Sequence, residues 1–84
     1  MRRFIKTMTV RRHVQYVVVQ DGNAFQFAVL RWAAEDTAPE ELCHYGYRAG
    51  DHEGTRTARL AAIREVARLV AAEERGRAEM HDIP

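Results

Sequence analysis

The side chains that can act as nucleophiles, bases or metal ligands gather between residues 43 and 53, where Cys43, His44, Asp51, His52 and Glu53 occur. A zinc site needs about four ligands that converge in a tetrahedron. Cys43 and His44 are adjacent, so on a β-strand they point to opposite faces and do not both bind one ion. We therefore expect no metal site, and interpret Cys43 as a buried thiol and residues 51–53 as a solvated loop.

Nucleophilic catalysis by Cys43 would need His44 or His52 as its base and a site for the developing oxyanion. The sequence contains no motif that would orient either group. It also lacks a glycine-rich phosphate loop, a dinucleotide fingerprint and an HExxH pair. We therefore expect a protein that is not an enzyme, with no catalytic residues and no cofactor.

The element that would position all these residues is a helix predicted over residues 55–75. Thr55 or Thr57 is the expected N-cap, and Gly76 is the expected C-terminal cap. Apolar residues recur in this stretch at steps of three and four and fill about half of the helix circumference. The expected buried face consists of Leu60, Ile63, Val66, Ala67, Leu69 and Val70.

Residues 13–20 and 24–33 predict a β-hairpin. Both segments are rich in β-branched and aromatic residues, and Asp21-Gly22-Asn23 between them is typical of a tight turn, with Gly22 at positive φ. Strand alternation gives each hairpin strand two apolar faces, and one helix covers only one face of a sheet. On the first strand, one face carries Val14, Tyr16 and Val18, and the other carries Val17 and Val19. On the second strand, one face carries Phe25, Phe27 and Val29, and the other carries Ala28, Leu30 and Trp32.

Two further segments are expected to join the sheet. Residues 4–10 are interpreted as an extension of the first hairpin strand, with a bend or bulge near Arg11 and Arg12, and a separate strand is the alternative. Residues 42–49 alternate well enough for a third strand, which Gly46 weakens or bulges. Residues 77–84 lack a periodic apolar face and are predicted to be a mobile tail.

Together these elements predict one α+β domain over residues 1–84. An antiparallel sheet of about three strands, a ββ hairpin plus a third strand, occupies residues 3–49, and the long C-terminal helix packs on one face. The second apolar face of the sheet needs a cover, because a large exposed apolar patch is an association site. We therefore expect a homodimer formed through the uncovered face or edge of the sheet.

The sequence indicates in which compartment of the cell the protein is expected. No apolar run approaches the roughly 20 residues that a membrane-spanning helix needs, and the N-terminal residues lack the apolar core of a secretory signal. Cys43 is the single cysteine and forms no internal disulfide. We expect a cytoplasmic protein with no membrane partner.

Charge is unevenly distributed along the chain. Residues 1–34 carry six basic and one acidic side chain (+5), residues 35–54 one basic and six acidic (−5), and residues 55–84 six basic and five acidic (+1). Whether the folded protein is also polarised depends on where the fold places these segments.

The function favoured by these features is that of a non-catalytic protein-binding module, an adaptor or inhibitor that occupies a surface of a larger complex. Apolar residues on both faces of a small sheet, and its exposed edge, support this hypothesis. One form of it is a phage-type inhibitor of a nucleic-acid-handling host complex, for which no single residue gives support. The residues predicted to contact a partner are Arg11, Arg12, Trp32, Phe27, Arg64 and Arg68.

The alternative is a nucleic-acid-binding module that uses the N-terminal arginine cluster and the helix stripe of Arg64 and Arg68. A continuous basic face made of both groups would favour this alternative. Acidic side chains between the two groups would disfavour it, and the candidates are Glu35, Asp36, Glu40 and Glu41.

Overall fold

The computed structural model describes residues 2–11, 14–33 and 38–81, with side chains for residues 2–9, 14–33 and 38–76. Its elements in chain order are β1 (Arg2–Arg11), β2 (Val14–Asp21), β3 (Gln26–Ala33), β4 (Glu40–Gly46) and α1 (His52–His81). The strands form one antiparallel sheet in the order β1-β2-β3-β4, and α1 packs across one face of it. The predicted α+β class is confirmed, with four strands rather than about three.

The additional strand is β1. It does not extend β2 but pairs with it, from Arg2 opposite Asp21 to Arg11 opposite Val14, with register shifts near Ile5 and Thr9. Beta-strand β1 pairs with β2 because this position brings the half-buried Ile5 and Met8 into contact with the core beneath the helix. No glycine or proline marks the reversal, so the turn signals of the sequence did not reveal it.

The predicted hairpin is confirmed as β2 and β3, but its turn has different chemistry. The Asp21 carboxylate accepts hydrogen bonds from the N–H groups of Asn23 (3.2 Å) and Ala24 (3.3 Å), which holds a four-residue loop. Phe25, with φ of 51°, occupies the left-handed region that was expected at Gly22. Its carbonyl accepts a hydrogen bond from the N–H of Tyr47 (2.9 Å), and this contact ties the loop to the end of β4.

Strand β4 begins two residues before its predicted start and ends at Gly46. The bulge lies at Leu42, between the Val29–Cys43 and Leu30–Glu41 pairs, and not at Gly46. Cys43 and Tyr45 turn toward the core under the helix, as the alternation of the sequence predicted.

Helix α1 is longer than residues 55–75 at both ends. Its N-cap is Asp51 and not Thr55 or Thr57: the carboxylate of Asp51 accepts the N–H of Gly54 (2.8 Å), and its carbonyl accepts the N–H of Thr55 (2.9 Å). At the other end the helix continues through Gly76 to His81. The predicted mobile tail therefore begins within the helix, and residues 82–84 lie outside the described residues.

We expect Asp51→Ala to lower the free energy of unfolding by about 1 kcal/mol, because the orphan N–H groups of the first helical turn lose their acceptor. Urea unfolding followed by circular dichroism measures this change. Asp51→Asn is the matched control, since it keeps the side-chain acceptor and should stay within about 0.5 kcal/mol of the wild type. An equal loss in both variants would contradict the capping role.

The helix meets the sheet through a row of small side chains spaced four residues apart. Ala58, Ala62, Val66 and Val70 are buried against the sheet residues Tyr16, Val18, Phe27 and Val29. The expected apolar face was therefore partly wrong, because Leu60 is 45% exposed and Ala67 also faces solvent. Small residues on the contact row allow the helix axis to come close to the sheet, and the bulkier Leu60 lies outside this row.

Candidate functional site

The face of the sheet turned away from α1, here called the open face, has an apolar centre. Val17 and Leu30 are opposite one another on β2 and β3, as are Val19 and Ala28, and the four form a cluster separate from the core under the helix. Each of the four is at most 5% exposed. Helix α1 packs on the other face of the sheet. Because so little of these four side chains reaches solvent, the exposed apolar area of the open face comes from the residues around them.

Large apolar side chains surround this centre. Phe4 pairs with Val19 from the β1 side and is 68% exposed. Trp32 extends the β3 row and is 40% exposed, and Leu42, at the β4 bulge, is 37% exposed. Three of the five exposed large hydrophobic residues of the described chain therefore lie on one face, which is far from the scattered pattern of an ordinary surface.

The fold converts the uneven charge of the sequence into a polarised molecule. Arg2, Arg3 and Lys6 belong to β1, and Glu40 and Glu41 belong to β4, the opposite edge of the sheet. Strands β2 and β3 lie between them, so the two edges are about 14 Å apart. The acidic β4 residues consequently do not separate the N-terminal cations from the helix, and Glu35 and Asp36 lie outside the described residues.

The cluster of reactive residues is divided by the fold. His44, Asp51 and Glu53 line an open groove of about 700 Å³ between β4 and the start of α1. Cys43 lies on the helix side of β4, where its thiol donates to the hydroxyl of Tyr45 (4.0 Å). Burial, together with this bond, raises the pKa of Tyr45. Among the described residues, no three His, Cys, Asp or Glu side chains form a group that could hold a metal ion.

A polar contact fastens the second half of α1 to the sheet. The Tyr16 hydroxyl donates to Glu73 Oε2 (2.7 Å), and Arg31 Nη2 lies 3.8 Å from Glu73 Oε1. Burial raises the pKa of the Tyr16 phenol, and the bond to Glu73 adds to this effect. The arrangement holds the helix in place and leaves the open face untouched.

The six residues predicted to contact a partner fall in different environments. Trp32 lies on the open face, whereas Phe27 is 1% exposed in the core beneath α1. Arg64 is exposed on the helix. Arg68 donates through Nε to both carboxylate oxygens of Glu65 (3.0 and 3.1 Å), which lowers the pKa of Glu65. The Arg11 side chain and all of Arg12 lie outside the described part of the chain.

Four exposed residues of the open face and of the start of α1 were not among those predicted to contact a partner. Phe4 and Leu42 belong to the open face, and Arg56 and Arg59 lie one turn apart at the start of α1. The helix predicted over residues 55–75 already contained Arg56 and Arg59, and their three-residue spacing puts them on one side of it. Nothing in the sequence alone would have placed Phe4 beside Val19, because that pairing depends on β1 being a separate strand.

Comparison with known proteins finds no protein-family model, curated protein or solved structure that matches this chain. Across the described residues, no helix combines the length and apolar character required to cross a membrane.

Proposed function

We propose that this chain is a non-catalytic protein-binding module whose binding surface is the open face of the sheet. The observation that supports this proposal is the exposure of Phe4, Trp32 and Leu42 around the buried cluster of Val17, Val19, Ala28 and Leu30. The proposal keeps the cytoplasmic, non-enzymatic role expected from the sequence. The adaptor or inhibitor role in a larger complex, including its phage-type form, stays a prediction.

The partner that we propose for the open face is a second copy of the same chain. Four strands about 4.8 Å apart and eight residues long at about 3.3 Å each give a face of about 500 Å². Two such faces have a combined footprint of about 1,000 Å², close to the smallest area expected of a biological interface. Two sheets pack well in this way, about 10 Å apart and with nearly aligned strands.

Charge favours one orientation of the two copies. A two-fold axis parallel to the strands places β1 of one protomer over β4 of its partner, so the Arg2 edge meets the Glu41 edge. A two-fold axis across the strands would instead stack β1 on β1, with like charges together. The first arrangement is therefore preferred, and it leaves α1 with Arg64 on the outside, where an adaptor or inhibitor would contact a larger complex.

The test is the solution mass measured by light scattering over a range of protein concentrations. The wild-type protein should have twice the 9.7 kDa mass of the chain. Trp32→Lys with Leu42→Lys should weaken self-association by about 100-fold or more, because a dimer would then bury unpaired ammonium groups. The mass of this variant should fall to that of one chain.

Leu60→Lys is the matched control, since Leu60 is as exposed as Trp32 but lies on the helix. It should remain a dimer, and circular dichroism should show that every variant is folded. A wild-type protein that is monomeric at all concentrations would overturn the proposal. So would a Trp32→Lys, Leu42→Lys variant that stays dimeric, because the interface would then lie elsewhere.

A further inference from the structure

On the opposite side of the sheet, a groove runs between β1 and the first half of α1. It measures about 330 Å³, and its walls carry three arginines, Arg3 from β1 and Arg56 and Arg59 from α1. Ile5 and Phe27 are the apolar residues that line it. We call this feature the basic groove.

The positive charge of the basic groove is not neutralised by any described acidic side chain. No described aspartate or glutamate lines it, and none of its three arginines forms an ion pair within the described part of the chain. Arg68, by contrast, is paired with Glu65. Arg56 and Arg59 are like charges one helical turn apart, an arrangement that costs a few tenths of a kcal/mol, roughly, unless an anion compensates it.

The basic groove continues beyond Arg3. A neighbouring depression of about 290 Å³ shares Arg3 and Gln20 with it and extends to Gly22 and Asn23 at the β2–β3 loop. In the other direction, Lys6 lies three residues along β1, about 10 Å from Arg3. Cations therefore follow the strand over a length that matches several successive charges of an extended ligand.

We propose that the basic groove binds the sugar–phosphate backbone of single-stranded nucleic acid. The planar guanidinium group of arginine fits phosphate oxygens with paired hydrogen bonds, and a concave basic surface concentrates the attraction. A groove walled by a strand and a helix admits a single strand, whereas a duplex would touch only its rims. This site is independent of self-association, because it lies on the helix side of the sheet.

The groove recognises the backbone and does not distinguish bases. Phe27 is the one Phe, Tyr or Trp side chain lining it, and this ring is buried beneath α1, so no base can stack on it. Binding should therefore be similar for oligothymidylate and oligoadenylate and should depend strongly on salt. With Arg3, Lys6, Arg56 and Arg59 each contacting a phosphate, the plot of log K against log salt should have a slope of about −3.

The test is the fluorescence anisotropy of labelled oligonucleotides of about 12 nucleotides, titrated with the full chain. It measures the affinity for each oligonucleotide and, when repeated from about 50 mM salt upward, the dependence of that affinity on salt. The variant that combines Arg3→Gln, Arg56→Gln and Arg59→Gln should bind about tenfold more weakly or worse at the lowest salt, with a slope near −1. The matched control combines Arg48→Gln, Arg64→Gln and Arg75→Gln, which removes the same charge from exposed positions elsewhere. Its affinity should stay within about threefold of the wild type, since these residues do not line the groove.

Three results would overturn the proposal. The first is the absence of wild-type binding at the lowest salt. The second is an equal loss in the two triple variants, which would show that net charge alone attracts the oligonucleotide. The third is binding of inorganic triphosphate, measured directly by calorimetry, together with oligonucleotide binding that triphosphate abolishes at a similar concentration, which would assign the groove to a small phosphate ligand. The light-scattering result for the open face is read separately and does not depend on any of these outcomes.

Discussion

Phe27→Ala is expected to lower the free energy of unfolding by about 3–5 kcal/mol, the usual cost of emptying a buried aromatic site. Phe27 lies on the central strand β3, is almost wholly buried beneath α1 and stacks at a tilt on Tyr47, with ring centroids 5.3 Å apart. A domain of this length has about 4–13 kcal/mol of total stability. The substitution should therefore remove a large share of it, and urea unfolding followed by circular dichroism should show a large drop in midpoint.

Phe4→Ala is the matched control, because it makes the same chemical change at a residue that is mostly exposed. Both substitutions should be compared in the Trp32→Lys, Leu42→Lys background, so that only the stability of the single chain is measured. There Phe4→Ala should cost less than about 0.5 kcal/mol. A similar cost for the two changes would contradict the placement of Phe27 in the core.

Ala62→Leu is expected to lower the free energy of unfolding by about 2–3 kcal/mol. Ala62 is fully buried at the centre of the contact row, between Ala58 and Val66. Three additional carbon atoms at this position force the helix away from the sheet or push side chains out of their preferred rotamers. Urea unfolding measures the loss, and a weaker near-ultraviolet dichroism signal from the tyrosines would report the shifted helix.

Ala71→Leu is the control for this prediction, since Ala71 is exposed on the same helix and the substitution changes helix propensity little. Its effect should be within about 0.5 kcal/mol. If Ala62→Leu were neutral or stabilising, the helix would not lie as close to the sheet as the small residues of the contact row indicate.

The elements with a strong repeating pattern were predictable from the sequence. The β2–β3 hairpin, the long helix and the assignment of Tyr16 and Val18 to one face and Val17 and Val19 to the other all follow from apolar periodicity. The helix start was misplaced because both threonines are acceptable N-caps, and the sequence does not show which residue supplies the acceptor. Asp51 does so in the structure.

What the sequence left open depends on which strand lies beside which. The identity of β1 as a separate strand determines that Phe4 joins the open face and that Arg3 faces Arg56 and Arg59. Arg3 lies 53 and 56 positions before Arg56 and Arg59, and Phe4 lies 15 positions before its partner Val19, so no local pattern encodes these contacts. The strand position of Trp32 is enough to place it on the face opposite Phe27. The burial of Phe27, by contrast, depends on which face the helix covers.

The strand order also bears on how the chain folds. Each strand pairs with its neighbour in sequence across connections of two, four and six residues, so the entropy lost in closing each loop is small and the sheet can form hairpin by hairpin. Helix α1 follows the whole sheet in the chain, so the ribosome makes it after all four strands. A nascent sheet therefore exposes apolar residues on both faces until α1 arrives, and in that interval the chain is most open to capture by chaperones or to misassembly with its neighbours.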